Sequence, residues 1–365
     1  MAVTTTKVSL LRAYDTPLEV VELSLDDLAP HQARVQMAAS GVCHSDLSVK
    51  HGTLPHPVPA VLGHEGAGVV TDVGAAVTKV KPGDHVIVSW NPACRTCVWC
   101  RAGQPFLCEQ GLVDAFTAPY GTVDGEPVFR GMTTGTFGEV TQVLEGALVP
   151  IGDDVPLEVA ALVGCAVTTG VGAVVNTARV APGDTVAIVG CGGVGLSAVL
   201  GAVVAGASRI IALDLSPQRR ALAEELGATD TIDPAAADPV EAVRALTAGA
   251  GVDHGIEVVG RADTIRTAYD LTRRGGVCTV VGAGPHGERV DFDVLEMMMS
   301  GKRIIPSVYG DADPVRDFPR LLDLYRSGRL PIDRLVTKHI SLADIDDAFA
   351  AMEAGEGARS VVMFG

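Results

Sequence analysis

This chain is short of basic residues and of long apolar runs. Lys and Arg number 28 against 44 Asp and Glu, a formal net charge of −16 over 365 residues with an isoelectric point near 4.9. A phosphate backbone is met by a basic face, so the deficit excludes nucleic acid as a partner and disfavours anionic membrane surfaces. No apolar run reaches the roughly 20 residues of a membrane-spanning helix, because Gly, Pro or charge interrupts each Ala/Val-rich stretch. The opening Met-Ala-Val-Thr-Thr-Thr-Lys has no apolar core of a signal peptide. A cytoplasmic location is therefore expected, and eight cysteines in a reducing compartment point to metal or catalysis rather than to disulfides.

What is present in quantity is core-forming material. Hydrophobic residues make up 47% and charged residues 20%, the proportions of a soluble globular protein. The length predicts two domains, and 42 glycines, many between Val/Ala/Ile runs, fit α/β architecture.

Chemistry gathers between Ser40 and Glu65, where Gly-Val-Cys43-His44-Ser45-Asp46 is followed by a Gly/Pro-punctuated loop and then Gly63-His64-Glu65. Cys and His are the usual zinc ligands, and a catalytic zinc takes three protein ligands and keeps one position open. Cys43 and His64 supply two, and Cys165, set among small residues, offers the third. Ser45 is placed to pass a proton from an alcohol, while Asp46 and Glu65 would orient the ligands. Taken singly, a Cys is a small hydrophobe and a lone His a satisfied polar group; their joint occurrence with the motifs below reverses that reading.

Residues 7–38 alternate apolar and polar positions in short runs, and the pattern resumes over residues 66–88 around the turn Pro82-Gly83-Asp84. Short strands with regular turns predict a partly closed β-barrel, since few other arrangements hide their edges. The next feature is Cys94-Arg-Thr-Cys97-Val-Trp-Cys100, with Cys108 after seven intervening residues. Four thiolates fill a tetrahedral shell and leave nothing open, so the expectation is structural zinc. An iron–sulfur cluster would satisfy the same ligand type and a disulfide pair is a further alternative; a cluster inside a β-rich loop lacks an electron-transfer partner.

Past residue 150 the pattern changes. Thr-Val-Ala-Ile-Val is the continuous apolar run of a buried parallel strand. It ends in Gly190-Cys191-Gly192-Gly193-Val194-Gly195, and a helix-like stretch follows over 196–205. A second strand ends at Asp214, nineteen residues after Gly195. A glycine turn between strand and helix, with an acid at that distance, is the full dinucleotide context. The glycines let the backbone approach a pyrophosphate at the helix N-terminus, and Asp214 would bond the ribose hydroxyls and repel a 2′-phosphate. NAD is favoured over NADP, although Arg219 lies near enough to accept such a phosphate. Helices at 217–226, 239–247 and 264–271 then alternate with strands at 229–232, 255–259 and 277–281, which predicts a doubly wound parallel sheet. Cys191 and Cys278 are read as structural.

Over nearly its whole length the chain resembles the zinc-dependent medium-chain alcohol dehydrogenases. The motifs that carry the resemblance are Gly-Val-Cys43-His44-Ser45-Asp46, Gly63-His64-Glu65, the four-cysteine segment, Gly-Cys165 leading into Thr-Thr-Gly, the glycine turn, Ile-Ile-Ala-Leu-Asp214 and Ala-Arg359-Ser-Val-Val. The resemblance implies a GroES-like catalytic domain, residues 1–166 and 309–365, with a Rossmann domain, residues 167–308, inserted into it. It implies catalytic zinc on Cys43, His64 and Cys165, and structural zinc on Cys94, Cys97, Cys100 and Cys108. His44 and Arg359 match positions that contact the cofactor pyrophosphate. Thr169 and Val281 match positions that hold the nicotinamide, and Trp90 matches an aromatic wall of the substrate pocket.

The activity so implied is an oxidoreductase that passes hydride between a primary aliphatic or aromatic alcohol and NAD, giving the aldehyde. The metal acts as Lewis acid and Ser45 takes the proton. Two departures stand out. Many relatives end a proton relay in a histidine five residues past the first zinc cysteine, and here that position is Ser48. Relatives acting on formaldehyde–thiol adducts carry an arginine beyond the last cysteine of the lobe, and residues 112–115 contain none. Oxidation of a glutathione- or mycothiol-type adduct is thus the second reading, and a non-catalytic NAD-binding protein a remote third, because no ligand and no relay serine is lost. His51 reads as a solvated loop residue. A homo-oligomer is expected, a dimer ahead of a tetramer.

Overall fold

The computed structural model describes residues 4–365, apart from the side chains at positions 114 and 115. The first three residues of the segment read for a signal peptide, and those two side chains of the 112–115 segment, lie outside the described residues.

Alternation builds the N-terminal strands. In β1 (Thr4–Leu11) Val8 and Leu10 are buried while Thr5 and Lys7 are exposed, and β2 (Glu19–Leu25) lies antiparallel to it with Val8 opposite Val21. With β4 (Ala60–Val61), β7 (Gly121–Val123) and β8 (Glu126–Arg130) they form a closed barrel in the order β1-β2-β7-β8-β4. The sequence predicted partial closure. The two-residue β4 completes the ring, parallel to β8 and antiparallel to β1, so no strand edge of this sheet is left open.

A second, seven-stranded sheet has the order β10 (Leu148–Ile151), β6 (His85–Val88), β5 (Glu65–Val73), β3 (Gln32–Gly41), β18 (Arg359–Met363) and β17 (Val336–Ile340), with β9 (Val140–Leu144) also paired to β3. The turn into β6 is made by Gly83 at φ +94°, and Asp84 Oδ2 accepts from the Lys81 amide at 2.9 Å. The same device recurs before the third sheet, with Gly183 at +94° and Asp184 accepting from Ala181 at 2.8 Å.

Helix α1 (His44–Lys50) follows β3 directly, where the sequence suggested only loop. Its His, Ser and Asp are cap and turn formers by propensity, and packing of buried Leu47 and Val49 into the barrel core overrides that preference. Helices α2 (Val98–Arg101) and α3 (Gln110–Thr117) frame the cysteine-rich lobe, and α4 (Leu157–Val163) and α5 (Ala166–Gly172) flank Cys165.

The third sheet is parallel throughout, in the order β13 (Asp230–Ile232), β12 (Arg209–Leu213), β11 (Thr185–Val189), β14 (Val252–Glu257), β15 (Thr272–Val280) and β16 (Arg303–Pro306). It is the doubly wound order, connected by α6 (Gly193–Ala205), α7 (Pro217–Glu225), α8 (Pro239–Leu246), α9 (Ala262–Leu271) and α10 (Val294–Ser300). Helices α11 (Pro314–Arg326) and α12 (Ile345–Glu353) carry the chain back to β17 and β18. One apolar core joins the second and third sheets, running from Cys43, Ile87 and Cys165 through Val186 and Leu196 to Tyr309 and Phe318. Among the described residues no single helix is long and apolar enough to cross a membrane; α4 and its bent continuation through Ala178 would reach that length only together, and they lie largely in this core.

Candidate active site

The register at the end of β3 assembles the site. Gly41 lies opposite Glu65 of β5 on one side and Val361 of β18 on the other, so Cys43, His64, Glu65 and Arg359 meet at one place. Cys165 enters at the N-terminus of α5. The donor atoms of Cys43, His64, Glu65 and Cys165 lie within 4.8 Å of one another, and all four residues are buried.

Hydrogen bonding decides what this cluster can hold. Asp46, fully buried, accepts through one oxygen from the Gly63 amide at 2.8 Å and from His64 Nδ1 at 3.1 Å. That makes Nδ1 the donor to Asp46 and leaves Nε2, buried and without a hydrogen-bond partner, as the nitrogen available to a metal. An orphaned imidazole nitrogen beside two thiols suits zinc and leaves little other physical account of itself. The thiol of Cys165 donates to Cys43, which with Arg359 and His64 holds Cys43 well below the usual thiol range despite burial, while the same contact and burial hold Cys165 well above it. Burial opposes charge on His64, but Asp46 and the Cys43 thiolate outweigh it and hold the imidazole well above its usual value. Burial also lifts Glu65 to about 7, with Arg359 opposing.

Glu65 sits closer to the donors than the sequence reading placed it. One oxygen accepts from the Ala166 amide at 3.1 Å and from Arg359 Nη2 at 3.0 Å, while the other has no hydrogen-bond partner. A Cβ at Gly41 would fall 2.2 Å from that free oxygen, so Gly41 makes room for it. Arg359 also donates to the Val42 carbonyl at 2.7 Å. Ser45 Oγ lies 3.9 Å from Cys43 Sγ.

The second cluster, Cys94, Cys97, Cys100 and Cys108, has its four sulfurs within the same 4.8 Å limit. Backbone amides already point at them: Cys97 N donates to Cys94 Sγ and Cys94 N to Cys108 Sγ, both at 3.3 Å. Amides and the hydroxyl of Thr96 draw Cys94 down to about 6. Four thiols with their amide donors in place match structural zinc. Arg95 clamps this lobe to the start of α11 through two bonds to Asp313, at 2.7 and 2.8 Å.

The nucleotide cleft lies where the sheet order reverses, between β11 and β14. Gly190 has φ +99°, and a Cβ at Gly195 would meet the Gly190 carbonyl at 1.9 Å, so both positions are closed to other residues. A Cβ at Gly192 would meet nothing within 4 Å, which leaves the open face a pyrophosphate would occupy at the N-terminus of α6. Arg359 lies against Gly193, and its Nε has no partner. Asp214 accepts from the Cys191 amide at 2.7 Å and from Ser216 at 2.8 Å, which sets its carboxylate beside the glycine turn. Val281 and Trp90 pack on the core that contains Cys43 and Cys165, and Thr169 Oγ1 is 3.8 Å from Cys165 Sγ.

Residues 29–153 match the alcohol dehydrogenase GroES-like domain, and residues 193–327 match the zinc-binding dehydrogenase domain. Geraniol dehydrogenase of Castellaniella defragrans is 38% identical, covering 98% of this chain and 97% of its own. The S-(hydroxymethyl)glutathione dehydrogenase of Paracoccus denitrificans is 36% identical over 95% and 96%. The chain belongs to the zinc-dependent medium-chain alcohol dehydrogenases. The crystal structure of benzyl alcohol dehydrogenase from Acinetobacter calcoaceticus superposes with a TM-score of 0.93 at 32% identity, covering 99% of this chain and all of that one. Zinc at the two clusters and a nicotinamide dinucleotide in the cleft are the cofactors that this alcohol dehydrogenase is built for.

Several site features of the dehydrogenase were not anticipated. Arg219 donates to the carbonyls of Met352 and Gly357, at 3.3 and 3.2 Å, and so is held to the end of α12. His44, exposed, has Nδ1 3.4 Å from Ser48 Oγ. His51, exposed in the turn that ends α1, has Nδ1 2.6 Å from Asp15 and Nε2 3.4 Å from Glu353. Glu257, fully buried at the end of β14, accepts from Val259, Gly260 and Thr264 and shapes the turn whose Val258 and Val259 reach Gly190. Tyr309 is buried with its ring tilted on Trp90, centroids 4.7 Å apart, and burial keeps its phenol protonated well above the usual range. A carboxylate inside an apolar strand end was the available signal for Glu257. For Tyr309 the sequence offered none.

Proposed function

We propose that the protein oxidises primary aliphatic or aromatic alcohols to aldehydes with NAD, and that the reverse reduction uses the same site. The observation that carries this reading is the apolar aromatic pair Trp90–Tyr309, packed on the core that includes Cys43 and Cys165. Zinc supplies a Lewis acid for the alcohol oxygen and NAD an acceptor for the hydride. In this reading Cys43, His64 and Cys165 hold the catalytic metal, Asp46 and Glu65 fix their orientation, and Ser45 takes the alcohol proton. His44, Arg359 and the glycines of residues 190–195 hold the pyrophosphate, and Thr169 and Val281 hold the nicotinamide. Asp214 selects the unphosphorylated ribose, and Arg219 is engaged by the carbonyls of Met352 and Gly357.

Residues 1–166 with 309–365 would be the catalytic domain and 167–308 the nucleotide domain. A homodimer is supported by the open edge of β16 and the exposed Val294, Leu295, Met298 and Met299 of α10 beside it. Eight free thiols accord with a cytoplasmic location.

The likeness to S-(hydroxymethyl)glutathione dehydrogenase favours one second reading, a formaldehyde–thiol adduct as substrate. A panel of aliphatic and aromatic alcohols with NAD, each run with and without a low-molecular-weight thiol, separates the two. The first reading expects NADH formation from aromatic and longer aliphatic alcohols without thiol. Turnover confined to formaldehyde plus thiol would replace it with the second.

A further inference from the structure

Tyr309 stands in an unusual place. It begins three consecutive residues with left-handed backbone, Tyr309 at φ +57°, Gly310 at +66° and Asp311 at +49°. A bulky side chain avoids that region, and such residues persist when their surroundings over-determine them. The surroundings here are specific. Asp311 accepts from the Val308 amide at 3.2 Å, Asn176 Nδ2 donates to the Gly310 carbonyl at 3.0 Å, and Ser307 pairs with Thr177 at 2.8 Å. Gly310 is pressed onto α5, where a Cβ would meet the Thr168 carbonyl at 2.4 Å. The turn is thus seated on the helix that Cys165 begins.

From that seat one phenol reaches two ends of the site. Its hydroxyl donates to the carbonyl of Gly164, the residue before Cys165, and lies 3.3 Å from Ser89 Oγ, the residue before Trp90. Its ring supports Trp90 directly. Cys165 itself has φ −145° and ψ −70°, outside helix and strand alike, and no side chain caps α5 to fix it. We infer that Tyr309 is a positioning residue that sets both the Cys165 sulfur and the Trp90 wall, so that metal geometry and substrate pocket are adjusted by one side chain. A buried phenol must find an acceptor, and here the acceptor chosen is the peptide leading into a metal ligand. The part concerning Trp90 rests on the alcohol-oxidising reading above; the part concerning Cys165 does not.

The test is Tyr309→Phe, which keeps the ring stack and removes the hydroxyl, in holoenzyme with zinc or with cobalt(II) exchanged into the catalytic site. Losing a bond to the peptide before a ligand should speed chelator removal of the catalytic metal by about 3- to 10-fold. It should also shift the thiolate-to-cobalt charge-transfer band and lower kcat by about the same factor, with KM for NAD within about twofold. Tyr309→Leu, which also removes the stack, should raise KM for aromatic alcohols more than for short aliphatic ones. Ser89→Ala should alter Trp90 emission while leaving metal release near the wild-type rate. A Phe variant with a native cobalt spectrum and native metal release, altered only in thermal stability, would overturn the Cys165 assignment. Unchanged Trp90 emission in both Leu and Ala variants would overturn the wall assignment. Were the wild-type enzyme inert toward alcohols, the cobalt band and the release rate would still decide the Cys165 half.

Discussion

Asp46 offers the sharpest test of the metal site because both of its hydrogen bonds enter one oxygen, while the other oxygen has no partner. In Asp46→Ala the Gly63 amide and His64 Nδ1 lose their acceptor in a fully buried position. Each orphaned donor costs about 1–3 kcal/mol, so the folded state should lose about 2–6 kcal/mol, less what an entering water restores. The imidazole would also be free to turn or change tautomer. Loss of such an outer partner typically lowers metal affinity about 10- to 100-fold. In Asp46→Asn the amide oxygen can receive both bonds, so orientation survives and only the charge goes. Zinc affinity should then fall by no more than about tenfold. The assay is zinc content per chain after dialysis against a graded chelator series, with the four-cysteine site as internal reference. An Ala variant that keeps both metals at wild-type release rates would refute the role given to Asp46.

Cys97→Ala should remove the other zinc and lower the thermal midpoint by on the order of 10 °C, because structural zinc contributes folding energy directly; an unchanged melting curve would speak against it. Ser45→Ala should cost about 10² to 10⁴ in rate while zinc content and NADH binding stay at wild-type levels, and normal turnover would show that the proton leaves by another group. His51→Gln should leave the pH–rate profile unaltered, since Asp15 and Glu353 already hold both ring nitrogens, and loss of a limb near the histidine pKa would contradict this. Asp214→Gly should raise KM for NAD and let NADP compete; a wild-type enzyme that already prefers NADP would defeat the assignment.

The metal ligands were legible because Cys and His are few in this sequence and fall in local motifs, and the parallel sheet because Thr-Val-Ala-Ile-Val ends in a glycine turn. Helix α1 was hidden by its own composition, which favours turns until Leu47 and Val49 find the barrel core. Glu65 was read as an orienting group, and its nearness to the donors depends on Arg359, 294 residues away in the chain. Tyr309 was invisible for a related reason, since its meaning comes from partners 145 and 220 residues upstream. Local pattern exposes local chemistry, whereas pairing across the chain is a property of topology.

The insertion of β18 beside β3 has a consequence for biosynthesis. Arg359 reaches back 317 residues to the Val42 carbonyl, so at about 5–20 residues per second the segment bearing Cys43 waits roughly 15–60 s for its partner strand to emerge from the ribosome. During that interval β3 lacks β18 as a neighbour, and Glu65 lacks its guanidinium. The strand that completes the sheet and the guanidinium that neutralises Glu65 thus arrive together, and loss of the segment from Arg359 onward would remove both in one event.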